Sequence, residues 1–167
     1  MNKFSHYTII PNINTNSTSL VLPSAEDINN CEQLLNFHFE EDYKTYILQY
    51  GEGLLGGTYI RIYPPTRISQ EQSQWLERVT QYYFWEIGKE VLTKEQVLQA
   101  ICIGDTFDGD EIIFYNHQYF VLPRNEENIY ALGHNLNDAI EWLCNSGILT
   151  EAFTEREFEP FNEVLHP

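Results

Sequence analysis

Basic residues are scarce in this sequence: nine Lys and Arg stand against 25 Asp and Glu, and the formal net charge is −16. Proteins that bind nucleic acid need Lys and Arg to neutralise its phosphates. The shortage therefore argues against direct binding to nucleic acid. A negative field of this size attracts basic partners and speeds their approach, although acidity can also serve only to keep a protein in solution.

Long apolar stretches and paired cysteines are missing as well. The early apolar residues Thr8–Ile10 stop at Pro11, which is too short for a signal peptide, and no run approaches the roughly 20 apolar residues of a membrane span. Cys31, Cys102 and Cys144 are an odd number without the spacing of a metal or redox motif. We predict a soluble cytoplasmic protein that does not contact membranes and whose thiols are free and buried.

The sequence also lacks a recognisable catalytic or metal-binding motif. Gly51–Gly56 has the letters G-x-G-x-x-G, but a predicted helix precedes it and a strand follows it, the reverse of the dinucleotide fingerprint. The acids of residues 105–111 do not form an EF-hand, since Gly104 and Tyr115 would stand at its first and twelfth ligand positions. We predict no enzyme, no cofactor and no metal site. The alternatives left open are an irregular cation site in this turn and a carboxylate pair for acid–base chemistry.

What the sequence does contain is a succession of three strand patterns in residues 101–122. Ile, Val, Phe and Tyr dominate the apolar stretches, as they do in strands. Gly104 and Gly109 bracket a first, acidic turn, and Asn116-His117 stands where a tight hairpin turn would fall. Sequential strands with short turns pair antiparallel, so we predict a β-meander here, followed by a further strand over residues 129–132.

Helical periodicity and helix-capping residues surround this meander. We predict helices over about residues 24–36, 40–51, 69–88 and 135–147, a short helix from Thr93, and a strand over residues 58–63. The long helix is expected to begin with a capping box of Ser69 and Gln72 and to bury Trp75, Leu76, Val79, Tyr82 and Tyr83.

Helices gathered on one antiparallel sheet define the α+β class. We predict a single domain over residues 1–167, with a mostly antiparallel sheet of about four to six strands. The first 23 residues would form an arm or edge strand, and residues 148–167 an acidic tail.

Acidic residues concentrate in the last 63 residues, where thirteen acids and two bases contribute −11 of the −16. Several of these acids lie on predicted turns beside aromatic residues, where a sheet would hold them ready for a basic protein partner. The candidate partner-binding residues are Asp105, Asp108, Asp110, Glu111, Glu126 and Glu127.

Four segments resemble one known family. Residues 35–47 (LNFHFEEDYKTYI) are similar to its L-P-x-D-Y-K-x-F-L helix start, with Phe39 and Glu40 in place of the proline, and residues 51–53 fall at its N-G-G turn. Residues 103–112 resemble its I-G-x-x-G-D-x-I strand turn, and residues 129–143 its closing strand and helix. On these residues the chain resembles the SUKH superfamily over about residues 24–147, while residues 65–98 and the acidic tail have no counterpart.

The resemblance implies an α+β fold and a non-catalytic protein that binds and neutralises a cognate polymorphic toxin, often a nuclease, inside the bacterium that produces it. The expected partner is a basic toxin domain, and the expected oligomeric state is a monomer or weak homodimer. One alternative is a regulatory or scaffold module of the same fold, as in the yeast branch of the superfamily. The other is an enzyme whose paired carboxylates have strongly raised pKa values.

Overall fold

The computed structural model describes residues 2–57, 59–81 and 85–165, and across them runs an eight-stranded sheet in the order β1-β8-β2-β3-β4-β5-β6-β7. The strands are β1 (Thr8–Ile9), β2 (Gly53–Leu55), β3 (Ile60–Ile62), β4 (Ile101–Thr106), β5 (Glu111–Tyr115), β6 (Gln118–Leu122), β7 (Tyr130–Gly133) and β8 (Glu157–Pro160). The α+β class is confirmed. The strand count exceeds the predicted four to six because two strands were not predicted: β2, within the glycine-rich segment of residues 51–56, and β8, in the acidic tail.

The predicted meander is confirmed as strands β4, β5 and β6. Both neighbouring pairs are antiparallel, and Tyr115 lies opposite Gln118 across the second turn. Asn116 and His117 have φ angles of 49° and 64°, the left-handed pair that a two-residue type I′ hairpin turn requires. Asparagine and histidine are among the residues that tolerate this region best.

Five α-helices of the described chain pack on the sheet: α1 (Ala25–Leu35), α2 (Glu41–Tyr50), α3 (Pro65–Gln81), α4 (Lys94–Val97) and α5 (Leu136–Asn145). The Ser24 hydroxyl accepts the Asp27 N–H and the Asp27 carboxylate accepts the Ser24 N–H, so the capping box before α1 is confirmed. Asn135 likewise caps α5. Helix α2 buries its predicted face of Tyr43, Tyr46, Ile47 and Tyr50.

The predicted start of the long helix was wrong. Helix α3 begins at Pro65 rather than after Ser69, because proline suits the first helical position, where no N–H partner is needed. Gln72, the predicted capping residue, is buried instead. Its side-chain nitrogen donates to the Ala100 carbonyl at 2.8 Å, and its side-chain oxygen accepts the Cys102 N–H at 3.2 Å. These two bonds hold α3 against the start of β4.

The predicted buried face of α3 is partly described. Trp75 and Val79 are buried and Leu76 is half-buried. Tyr82 and Tyr83, together with the first residue of the predicted 58–63 strand, lie outside the described residues. The described helix ends at Gln81, and Gly88 belongs to a separate 3₁₀ turn, Ile87–Glu90.

The acidic tail is built into the sheet. Strand β8 lies between β1, to which it is parallel, and β2, to which it is antiparallel. Phe158 on β8 is fully buried, and the Asn12 side chain donates to the Pro160 carbonyl at 2.9 Å. Both ends of the described chain are therefore fastened to each other beside β2.

The three cysteines are free and buried, as predicted. Burial raises the pKa of each thiol, that of Cys144 to about 12. The thiolate is the form that attacks disulfide reagents. We therefore expect dithionitrobenzoate to modify none of the thiols of the folded protein within minutes and all three in denaturant. Rapid labelling of the folded protein would show that one of the thiols reaches solvent.

Candidate functional site

The turn between β4 and β5 presents two exposed residues, Phe107 and Asp108. The Gly109 N–H donates to the Thr106 carbonyl, and the Thr106 N–H donates to the Asp110 carbonyl, both at 2.9 Å. Gly109 has a φ of 91°, a conformation that strains any residue with a Cβ. This is a tight hairpin turn followed by a glycine bulge. Its hydrogen bonds fix the backbone positions from which the Phe107 and Asp108 side chains project.

Asp110 connects this turn to a second segment. The residue is 3% exposed, and its carboxylate accepts the Thr106 hydroxyl at 2.7 Å and the Arg124 N–H at 2.9 Å. Arg124 opens the loop between β6 and β7, and its side chain lies against Gly109. One buried carboxylate therefore joins the β4–β5 turn to the β6–β7 loop, and this bonding gives Asp110 a structural role.

An open cleft of about 780 Å³ lies where the turn and the loop meet. Trp85 lies at this cleft and its indole nitrogen donates to the Pro123 carbonyl at 2.6 Å. The lining residues are Arg78, Trp85, Gly109, Glu111, Leu122, Pro123, Arg124, Asn125, Glu126 and Glu127. The structure thus brings three of the predicted site residues, one from β5 and two from the β6–β7 loop, around one cleft.

Two of the predicted carboxylates are paired with arginines. Arg61 donates to both oxygens of Asp105, at 3.0 and 2.6 Å, and the Tyr63 hydroxyl donates to the same carboxylate at 2.8 Å. Arg78 donates to Glu111 at 2.7 Å. These hydrogen bonds raise the pKa of both guanidinium groups. Asp105 and Glu111 are therefore already neutralised within the protein.

Apart from the buried Asp110, three predicted carboxylates remain: those of Asp108, Glu126 and Glu127. They form no ion pair with any Lys or Arg of the described residues. Asp108 and Glu127 are exposed, and Glu126 is half-buried. Glu126 accepts the Tyr130 hydroxyl, a bond that raises the pKa of that tyrosine. These three acids, with Phe107, form what we call the turn–loop surface.

The basic residues elsewhere in the protein do little to offset this charge at the surface. Seven of the nine Lys and Arg side chains are held in ion pairs with the protein's own acids, namely Lys3, Lys44, Arg61, Arg67, Arg78, Lys89 and Arg156. The other two are Lys94 and Arg124, and the exposed Arg124 side chain lies against Gly109, between the turn and the loop. The turn–loop surface therefore presents three carboxylates and one guanidinium, and its net charge is negative.

Neither Phe107 nor Trp85 was among the site residues predicted from the sequence. A signal for Phe107 was present in Thr106-Phe107-Asp108-Gly109: an aromatic residue stands at the centre of a turn, a position that polar residues normally fill. Trp85 carries no such signal, since it falls inside the helix predicted over residues 69–88, where a tryptophan is most simply interpreted as a core residue.

Among the residues that the structure describes, no group of three or more His, Cys, Asp or Glu side chains could hold a metal ion. No helix in that part of the chain is both long and apolar enough to cross a membrane.

The chain also resembles a known protein family. A SUKH family model, described as SMI1-KNR4 cell-wall, matches residues 7–119, which is more than half of the 167 residues. The matched region includes the β4–β5 turn and ends before the β6–β7 loop. No curated protein matches the chain.

Proposed function

The chain belongs to the SUKH superfamily, in the family described as SMI1-KNR4 cell-wall, and on that premise we propose that it is a bacterial immunity protein. It binds a cognate toxin domain, most simply a basic nuclease domain, and neutralises it without catalysing a reaction. Binding takes place in the cytoplasm of the bacterium that makes the toxin.

The observation that carries this proposal is the turn–loop surface. Unpaired carboxylates stand beside an exposed aromatic side chain, on two segments that a buried Asp110 ties together. Aromatic residues supply much of the energy at the centre of protein interfaces, and charges at the rim speed encounter and select partners of opposite sign. The surface therefore suits a basic protein, and its acids occupy the groove in which the toxin holds its own anionic substrate.

The proposal is tested by rescue of growth. The C-terminal domain encoded by the gene immediately upstream is expressed in a test bacterium, with and without this protein. Restored growth together with co-purification of the two proteins is the expected result. A domain that is not toxic, or toxicity that persists when this protein is present, would contradict the immunity function.

We expect charge reversal at Asp108 to slow association with the toxin domain. Asp108→Lys removes an exposed carboxylate from the turn–loop surface and should lower the association rate about tenfold at low salt. The difference from wild type should shrink as salt screens the charges. Stopped-flow or biolayer measurements at several salt concentrations provide the test.

Glu151→Lys is the matched control for that experiment. Glu151 is an exposed acid of the tail, and its reversal changes the net charge of the protein by the same amount. Equal slowing by the two variants would mean that only net charge matters and that the turn–loop surface is not the contact site.

A regulatory or scaffold module is the second candidate function. It is favoured by the family's description, which names the cell wall. Failure of rescue combined with stable capture of a partner that is not a toxin would support it.

A further inference from the structure

Phe107 is unusual among the aromatic residues of this protein. Its side chain is 79% exposed, whereas every other described Phe, Tyr and Trp is buried or half-buried. It is the largest of the exposed apolar side chains among the described residues, and its ring keeps an apolar surface that a partner could bury. The side chain does not contribute to the core, and a polar residue would fill the centre of this turn equally well.

The backbone beneath Phe107 is held from several directions. The Phe107 N–H donates to the carbonyl of Tyr59, the residue immediately before β3, at 2.8 Å. The Gly109 N–H closes the turn onto Thr106 at 2.9 Å, and Asp110 ties it to the β6–β7 loop. A side chain on a backbone that is already fixed loses less conformational entropy on binding, so more of its contact energy appears as affinity.

The charges around Phe107 define the partner's chemistry. Asp108, the next residue, is exposed and has no ion-pair partner among the described residues. Asp110 lies directly below, and its carboxylate is held by a hydroxyl and a backbone N–H rather than by a cation. The Arg124 side chain lies against Gly109 and offsets part of this charge. However, Glu126 and Glu127 lie beside it at the same cleft, so the balance stays negative. A partner that closes over this turn must therefore supply positive charge around an apolar centre.

We infer that Phe107 is the anchor of the interface: it inserts into an apolar socket on the toxin domain, and Lys or Arg side chains on the rim of that socket receive Asp108. This inference rests on the proposed function and specifies which residue holds the complex together. The cleft beside the turn then flanks the contact and is not its centre.

Phe107→Ala tests the assignment. Affinity for the upstream-encoded toxin domain is measured by calorimetry for wild type, Phe107→Ala and Ile13→Ala. We expect Phe107→Ala to weaken binding at least about 30-fold, as hot-spot aromatics do. Ile13 is a matched control because it is also exposed and apolar, at 86%, but follows β1 at the far edge of the sheet. Its variant should bind within about twofold of wild type.

The possible results distinguish an error about the Phe107 anchor from an error about the immunity function. Thermal melting of each variant should match wild type, since neither side chain is buried, and this excludes unfolding as the cause of weaker binding. Wild-type binding that Phe107→Ala leaves within threefold would overturn the anchor while the immunity function stands. A wild-type protein that neither binds nor protects against this domain would overturn the proposed function, and the anchor with it.

Discussion

Replacing Glu40 by alanine should destabilise the protein by about 3 kcal/mol, because one carboxylate caps two helices and binds a core tyrosine. Glu40 precedes α2 and accepts the Asp42 N–H at 2.6 Å and the Tyr43 N–H at 3.3 Å. The same carboxylate accepts the Leu136 N–H at the start of α5 at 2.9 Å and the Tyr119 hydroxyl at 2.8 Å. The positive ends of both helix dipoles therefore meet at one negative charge.

The loss of stability in Glu40→Ala is large because the hydrogen-bond partners of Glu40 are buried and cannot bond to water instead. Tyr119 and Leu136 are 1% and 0% exposed, so removing the acceptor leaves a buried hydroxyl and an N–H without a partner. Glu40→Gln, which keeps an acceptor oxygen but not the charge, should cost about half as much. Urea unfolding followed by circular dichroism measures both.

The neighbouring residue provides the control. Glu41 belongs to the same helix start, but its side chain is 88% exposed, and Lys44 is its one ion-pair partner among the described residues. Glu41→Ala should therefore change the free energy of unfolding by less than about 0.5 kcal/mol. A Glu40→Ala protein as stable as Glu41→Ala would mean that the four hydrogen bonds contribute nothing net.

Local signals in the sequence were sufficient for the parts of the fold that depend on neighbouring residues. The Ser24–Asp27 capping box, the Asn135 cap and the Asn116-His117 turn each involve residues close together in the chain, and each was predicted where it occurs. Gln72 was mispredicted because its contacts are distant in the chain. Its pattern with Ser69 matches a capping box, yet its side chain bonds to residues 28 and 30 positions away, which no local pattern can reveal.

The acidic character of the candidate site was predictable from the sequence, but the partner of each carboxylate was not. The sequence shows that residues 105–111 are acidic. It does not show that Arg61, 44 positions earlier, neutralises Asp105, or that Asp110 turns inward to the backbone of Arg124. Only long-range contacts divide these carboxylates into paired, buried and exposed ones. The partner-binding role of the six predicted acids stays a prediction. Asp108, Glu126 and Glu127 are the three whose carboxylates are neither buried nor in an ion pair within the described residues.

The family-like motif around residues 103–112 has a structural explanation. A Cβ on Gly104 would lie 2.4 Å from the Arg61 carbonyl oxygen on the neighbouring strand, closer than any side chain permits. Gly109 supplies the positive φ of the turn, and Asp110 bonds the turn to the next loop. The motif therefore builds the hairpin and leaves the exposed residues Phe107 and Asp108 unspecified.

Truncating Phe158 to alanine should cost about 3–5 kcal/mol, because the tail forms part of the core. Phe158 is 0% exposed, and its ring lies 5.1 Å from that of Tyr50 and 6.3 Å from that of Tyr46, between ring centroids. On the other side it fills the space above Gly53, where a Cβ would approach its ring to 2.5 Å. Removing the ring leaves a cavity between α2 and β2 at the centre of three strands.

Phe107→Ala is the matched control, since it is the same substitution at a side chain that is 79% exposed. It should change the free energy of unfolding by less than about 0.5 kcal/mol. Urea unfolding of the two variants then compares a buried with an exposed phenylalanine in one protein. If Phe158→Ala costs less than about 1 kcal/mol, β8 is not integral to the fold and the tail can leave the sheet. A large loss instead means that residues beyond the matched family region hold β1 and β2 together, so that a chain ending before β8 cannot complete this sheet.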